Sequence, residues 1–203
     1  MPQCQITQFV GNKKQEATDL ICQRLRQCAI NWYEQDLTNN PLGSTGGVIQ
    51  ADETALGNAK YHKGSALKRE CNWVVGGIDS LTGRMAVEQV QKRDADTLLR
   101  FLQGVCAPGA TIYTDCWKSY NCLQDNGFPH QTVNHSVQFV NTLPDGTKVH
   151  TQKIESTWRP MKLFLHYMNF NHREYTDDYV KTYAAFHNAG KSLEHKFKFI
   201  QLF

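Results

Sequence analysis

Three short strand-rich runs, apolar stretches interrupted by polar residues, follow one another in the middle of the chain: "GGVIQADETALG", "NWVVGGIDS" and "GRMAVEQVQ". These runs, with Leu81-Thr82-Gly83 as a tight connection between the last two, predict three sequential antiparallel strands. A helical pattern then follows. "DADTLLRFLQGVC" opens on Asp94, a good cap residue, and carries Leu98, Leu99, Phe101 and Leu102 at helical spacing before "APG" stops it. "ATIYTDCW" predicts a further strand, "SYNCLQDNG" a short helix closed by glycine, and "PHQTVNH" another strand. A helix carrying Glu155 follows in "HTQKIESTWRPMK". Upstream, residues 13–36 set Leu20, Ile21, Leu25, Cys28, Ala29 and Trp32 on one stripe, as an amphipathic docking helix would. "LTNNPLGSTGG" separates that helix from a main domain beginning near Gly46. The expected organisation is a helical segment and linker over 1–45 and a catalytic-type domain over 46–203. The carboxy-terminal "YTDDYVKTYAAFHNAGKSLEHKFKFIQLF" has the aromatic spacing of a helix packing on the sheet, with a basic end.

The order β-β-β-α-β-α-β and then a helix matches the ribonuclease H-like fold, an α/β architecture whose mixed sheet begins with three antiparallel strands and carries helices on its faces. That fold offers carboxylates three stations: the first strand, the end of the fourth, and a later helix. Here those stations hold Asp52, Asp115 and Glu155.

Composition narrows the class without deciding it. With 203 residues, 40% of them apolar, the chain can bury a sizeable core, and a net charge of +3 permits a nucleic-acid partner without demanding one. Seven cysteines, an odd number with no Cys-x-x-Cys pair, fit reduced intracellular thiols better than a disulfide scaffold or zinc site. No apolar run is long enough to span a membrane.

Acids are poor strand formers, and each of these three taken singly would pass for a turn or cap residue. Taken together they describe a cation site. Converging carboxylates repel one another, and the arrangement becomes favourable when they hold divalent cations such as Mg²⁺, which keeps waters and phosphate oxygens as its other ligands. Two such ions can activate a hydroxyl and stabilise the leaving oxygen of an in-line phosphoryl displacement. Lys162 follows Glu155 by two helical turns, too far for a direct pair and suited to reaching a DNA phosphate beside the acids, although Pro160 lies between them. Lys60, Lys63, Lys68 and Arg69 surround "NAKYHKG", a loop that could track a phosphate backbone or simply be a solvated hairpin loop. Glu53 adjoins Asp52 and on a strand faces the other side, which favours a structural role over direct involvement. His135 and His150 flank the loop "SVQFVNTLPDGTKV" and fit backbone hydrogen bonding somewhat better than catalysis. Core packing explains Trp117 and Trp158 better than base stacking does.

The blocks "IQADETALGNAKYHKG", "WVVGGIDSLTGRM", "DADTLLRFLQGVCAPGATIYTDCWKSY", "TVNHSVQFV" and "HTQKIESTW" resemble the catalytic domain of Merlin-type DNA transposases and related bacterial insertion-sequence transposases. The resemblance runs from about Gly46 to Asn169. It implies that Asp52, Asp115 and Glu155 are a DDE triad holding two Mg²⁺ or Mn²⁺ ions, and that Lys162 is the family's downstream basic residue. Strand cleavage and strand transfer on DNA, a homo-oligomer assembled on transposon ends and target, and a nuclear location in a eukaryotic host are what it implies for function. A nuclease of the same fold, or a domesticated or truncated copy that only binds DNA or protein, are the alternatives. Such transposases usually carry an amino-terminal end-recognition region, and residues 1–45 contain neither a zinc-binding nor a helix-turn-helix pattern, so end specificity is expected from upstream residues or another subunit.

Overall fold

Strand β1 (Ile49–Leu56) is the spine of a five-stranded mixed sheet in a computed structural model that describes residues 15–56, 72–134, 140–168 and 175–190. The chain divides into two compact units, residues 41–158 and residues 1–40 with 159–203. In the first, β1 is followed by β2 (Asn72–Asp79), β3 (Met85–Val90), β4 (Ile112–Asp115) and β5 (His130–Val133). The strand order is β3-β2-β1-β4-β5. β1, β2 and β3 pair antiparallel and β4 and β5 join in parallel, which is the ribonuclease H-like arrangement expected from the order of elements. Helix α1 (Gln15–Asn39) precedes the sheet and α2 (Ala95–Val105) lies between β3 and β4. Asp94 caps α2, its Oδ1 accepting the Thr97 N–H at 3.0 Å.

Ile49, Ala51, Val74, Val75, Ile78, Met85 and Ala86 are buried in the sheet, with Leu98, Phe101 and Leu102 of α2 buried as well. The apolar residues of the three expected strands are thus core residues. After β4 the expected short helix is two 3₁₀ turns, Lys118–Tyr120 and Gln124–Asn126, the second closed by Gly127 at φ 85°. The loop before Glu155 holds a small hairpin, β6 (Asn141–Thr142) and β7 (Lys148–Val149), which the sequence does not announce. Val149 joins Tyr113 and Val133 in a cluster that ties this hairpin to the parallel strands.

Helix α3 (Gln152–Tyr167) starts three residues before Glu155 and continues through Pro160; the boundary between the two units falls inside it, between Trp158 and Arg159. In the second unit, α4 (Thr176–Asn188) groups with α1. Lys181 of α4 pairs with Glu34 of α1 and with Asp177, both at 2.9 Å, and Arg26 lies 4.9 Å from the centroid of the Tyr179 ring. Phe164 packs against Tyr183 and Phe186. The buried row of α1 is Thr18, Cys22, Ala29, Ile30, Tyr33 and Leu37, whereas Leu20, Ile21 and Leu25 are exposed. The stripe expected from hydrophobicity is therefore rotated by part of a turn, because small and aromatic residues on the neighbouring face fill the contact instead. The five cysteines among the described residues are free thiols. No described helix is long and apolar enough to cross a membrane.

Candidate functional site

The parallel pairing of β1 with β4 is short. Only Ile49 with Ile112 and Gln50 with Tyr113 are partners, while β1 stays paired with β2 along its whole length and β4 stays paired with β5 through Asp115. β1 and β4 part just beyond Gln50 and Tyr113, and Asp52 and Asp115 each stand two residues further on. Side chains two apart on a strand share a face, so both acids come to the mouth of this divergence on the face used by Gln50 and Tyr113. Strand ends that part in this way are where open α/β sheets place their ligands.

The electrostatics agree with that geometry. Burial drives the Asp52 carboxyl up to about 6; hydrogen bonds from Trp158 and from the Glu53 backbone work against the shift, and the charges of Glu53 and Asp115 add to it. Glu53, on the neighbouring position, is also raised, first by burial and then by Asp115, against the opposing pulls of Tyr120 and Arg93. Three acids thus lie within electrostatic reach of one another where β1 and β4 part.

Each is held differently. Asp115 Oδ1 accepts the Trp117 N–H at 2.9 Å, an Asx-type turn that directs the carboxylate as the chain leaves β4. Glu53 is satisfied by the protein: the Tyr120 hydroxyl donates to Oε2 at 2.7 Å and Arg93 reaches Oε1 at 3.2 Å, with the Glu53 side chain only 5% exposed. Arg93 is itself pinned, its guanidinium 3.6 Å from the Trp73 ring centroid and 4.8 Å from that of Trp117, and its carbonyl accepts the Ser119 hydroxyl. The structural role anticipated for Glu53 is what this network describes. Trp117 departs from the core-packing expectation: it is 42% exposed and stacks under Arg93.

Glu155 lies on α3, whose first two turns are tied to β1. Trp158, one turn further along α3 and buried as anticipated, donates its indole N–H to Asp52 Oδ2 at 2.7 Å. Its ring lies over Gly76, the register partner of Asp52 on β2, where an added Cβ would come within 2.5 Å of the Trp158 Cη2. The first turn of α3 is seated on β1 by Gln50, whose Oε1 accepts the Lys153 N–H at 2.9 Å and the Ile154 N–H at 3.3 Å. Gln50 Nε2 faces His150 Nδ1 at 3.3 Å, so His150 touches a side chain of the site rather than the backbone alone. Glu155 is exposed, and its Oε1 accepts the Thr151 hydroxyl at 2.6 Å.

Asp52 and Asp115 are therefore together, and Glu155 rides on a helix seated on the strand that bears Asp52. Among the described residues, no three His, Cys, Asp or Glu side chains stand in an arrangement that could hold a metal ion by themselves. Lys162 is exposed on α3. Lys60, Lys63, Lys68, Arg69 and His135 lie outside the described residues. Gln50, Arg93, Tyr120 and Gly76 were not singled out from the sequence. The only signals they offered were a glutamine two residues before Asp52 and a glycine pair inside an otherwise apolar strand.

Among solved structures, the chain is similar to a simian T-cell lymphotropic virus intasome in complex with the PP2A regulatory subunit B56 gamma, at 13% identity and a TM-score of 0.46, over 68% of this chain and 46% of that one. It thus spans less than half of that chain's length. The HTLV-2 integrase catalytic core domain, solved in complex with magnesium in a dimeric form, is similar at 16% identity and a TM-score of 0.45, over 68% of this chain and 83% of that one. The catalytic core domain of BIV integrase gives 12% identity and a TM-score of 0.47, over 72% and 85%. No functionally curated protein matches the sequence. The sequence profile of the ISXO2-like transposase domain matches residues 44–186, more than half of the chain and the whole of the sheet that carries these acids. The chain belongs to the ISXO2-like transposase domain family.

Proposed function

We propose that this chain is the catalytic domain of a DDE transposase of the Merlin type, with Asp52, Asp115 and Glu155 as its catalytic carboxylates and as the ligands of two Mg²⁺ or Mn²⁺ ions. The observation that carries this reading is the pair of acids at the parting of β1 and β4, each two residues beyond the last paired position, with mutual repulsion that burial intensifies. The donor set fits the group. Carboxylate oxygens suit hard divalent cations, and Mg²⁺ takes one or two protein carboxylates together with water and phosphate oxygens, so no closed three-residue cage is needed. When bound, the ions supply Lewis-acid activation of the attacking hydroxyl and charge stabilisation at the leaving oxygen.

The chain's own residues bind and orient. Asp52 presents its oxygens from within β1 and Asp115 from the end of β4, with the Trp158 indole and the Trp117 N–H, respectively, setting the angle of the carboxylate. The Arg93 and Tyr120 clamp draws Glu53 aside and keeps a third charge from competing at the same point. Glu155 completes the set from α3. DNA is the proposed substrate, both as transposon end and as target, with Lys162, Lys60, Lys63, Lys68 and Arg69 contacting phosphate and the protein assembling as a homo-oligomer on that DNA. An intracellular site of action, the nucleus in a eukaryotic host, follows from the substrate.

One observation favours a copy that binds DNA without cutting it: the Glu155 carboxylate engages Thr151. Nicking of supercoiled plasmid in the presence of Mn²⁺ separates the two readings. The catalytic reading expects nicking by the unmodified chain and a loss of at least about a hundredfold in Asp52→Asn, Asp115→Asn and Glu155→Gln. Equal nicking by any one of these variants removes that residue from the site, and a folded, DNA-bound chain with no nicking supports the binding-only copy. A strand-transfer assay then distinguishes transposase from nuclease, since a nuclease forms no joined product.

A further inference from the structure

We propose that Gln50 and Trp158 are positioning residues of the cation site, a two-point seat that fixes the Glu155 helix against Asp52; this rests on the reading of Asp52 as a metal ligand. The first turn of a helix has backbone N–H groups with no partner inside the helix, and these normally find a side chain just ahead of it in sequence. Here two of them, on Lys153 and Ile154, are taken by Gln50, about a hundred residues away on β1 and only 2% exposed. The amide has both ends committed, since Nε2 faces His150 Nδ1. Gln50 therefore fixes where α3 begins relative to β1.

The second point lies about a turn and a half along. Trp158 donates to Asp52 Oδ2, and Gln50 and Asp52 share one face of β1, so the two contacts grip the helix on either side of Glu155. Gly76 makes room for the second grip: a Cβ there would come to 2.5 Å from Trp158 Cη2 and force the indole to shift. The buried indole N–H and the largely buried Asp52 carboxylate satisfy one another, and the bond ties α3 to β1 at the acid itself. The indole N–H fixes the plane of the carboxylate and leaves lone pairs on both oxygens for a cation, as outer-shell donors do at metal sites.

The test is Mn²⁺ binding by the full chain, followed by the paramagnetic signal of the free ion, for the unmodified protein, Trp158→Phe, Gln50→Met and Asp52→Asn. Phenylalanine keeps the ring and loses the donor; methionine keeps the length and loses the cap. Both variants should keep the far-ultraviolet circular dichroism of the unmodified chain while their dissociation constants for Mn²⁺ rise by about tenfold to a hundredfold, and Asp52→Asn should lose the site. If Trp158→Phe and Gln50→Met bind Mn²⁺ as the unmodified chain does while Asp52→Asn does not, the seat is not a positioning device and the metal reading survives. If Asp52→Asn binds as before, the metal reading itself fails. A measurement on the unmodified chain guards against a variant that does not fold: the indole proton resonance of Trp158 should move on titration with Mg²⁺, and a resonance that stays in place overturns the proposal.

Discussion

Asp79 and Asp52 sit on adjacent antiparallel strands, in similarly apolar stretches, and meet opposite fates. Asp79, at the end of β2, is 2% exposed and collects backbone donors: Gly43 N–H on Oδ2 at 3.0 Å, and Leu81 and Thr82 N–H on Oδ1 at 2.8 and 3.0 Å. Burial alone would raise its pKa, yet those N–H groups more than offset the burial and hold it below the ordinary carboxylate value. Asp52 receives one indole and finds two other acids, and its pKa goes up to about 6. A carboxylate that serves the fold is surrounded by donors until its charge is comfortable. One proposed to hold a ligand is left with charge unanswered. Glu53 stands between the two: Arg93 and Tyr120 answer part of its charge, yet burial and Asp115 keep its pKa raised.

The largest effects should come from removing the donors that make structural acids tolerable. Arg93→Ala leaves the nearly enclosed Glu53 carboxylate with Tyr120 alone and strips the stack between Trp73 and Trp117; it should cost roughly 2–4 kcal/mol in urea unfolding. Glu53→Gln in the same background should recover part of that loss. No recovery would show that the cation–π stack, and not the charge, is what Arg93 supplies. Asp79→Ala should cost roughly 2–3 kcal/mol, since three backbone N–H groups lose their acceptor.

The metal-free Asp52→Asn variant should instead be neutral or more stable at pH 7 by roughly 1–2 kcal/mol, because an uncompensated charge is removed. The pH dependence separates the two acids by sign. With its folded pKa raised from 3.8 to about 6, Asp52 binds its proton more tightly in the folded chain, so its contribution to stability is complete below pH 4 and is lost as pH rises through 6. Asp79, with its folded pKa lowered, contributes above 3.8, and that stability is lost as pH falls through its folded pKa. Asp52→Asn should therefore flatten the decline in stability between pH 4 and 7, and a slope unchanged by this substitution would end the contrast. The smallest effect is expected at Lys162, which belongs to neither region: Lys162→Ala should leave stability alone and reduce the salt slope of DNA binding by about one unit. An unchanged slope would remove it from the DNA surface.

Much of this was legible along the chain, and what was not has a physical reason. The three-strand meander, the Asp94 cap and the stations of Asp52, Asp115 and Glu155 rest on local patterning and on the order of elements, both of which a sequence displays. The buried row of α1 does not. Leu20, Ile21 and Leu25 outrank Thr18, Cys22 and Ala29 in hydrophobicity, yet the second set is buried along with Ile30, Tyr33 and Leu37, because the face that packs is chosen by the neighbouring helix α4 and not by the helix's own hydrophobicity. Gln50 was hidden for a different reason. A cap about a hundred residues from its helix has no periodicity and no motif, and it becomes visible only when β1 and α3 are side by side. Trp117 was misassigned because an aromatic residue after a strand looks like core until the arginine beneath it is found.

The central claim is that Asp52, Asp115 and Glu155 converge on divalent cations, and anomalous diffraction from a Mn²⁺-soaked crystal tests it most directly. A manganese peak bounded by Asp52 and Asp115, with carboxylate oxygens at about 2.0–2.4 Å and Glu155 turned from Thr151 toward the ion, is the predicted result. Manganese found only elsewhere on the chain, with Asp52 and Asp115 uncoordinated and Glu155 still on Thr151, would contradict it.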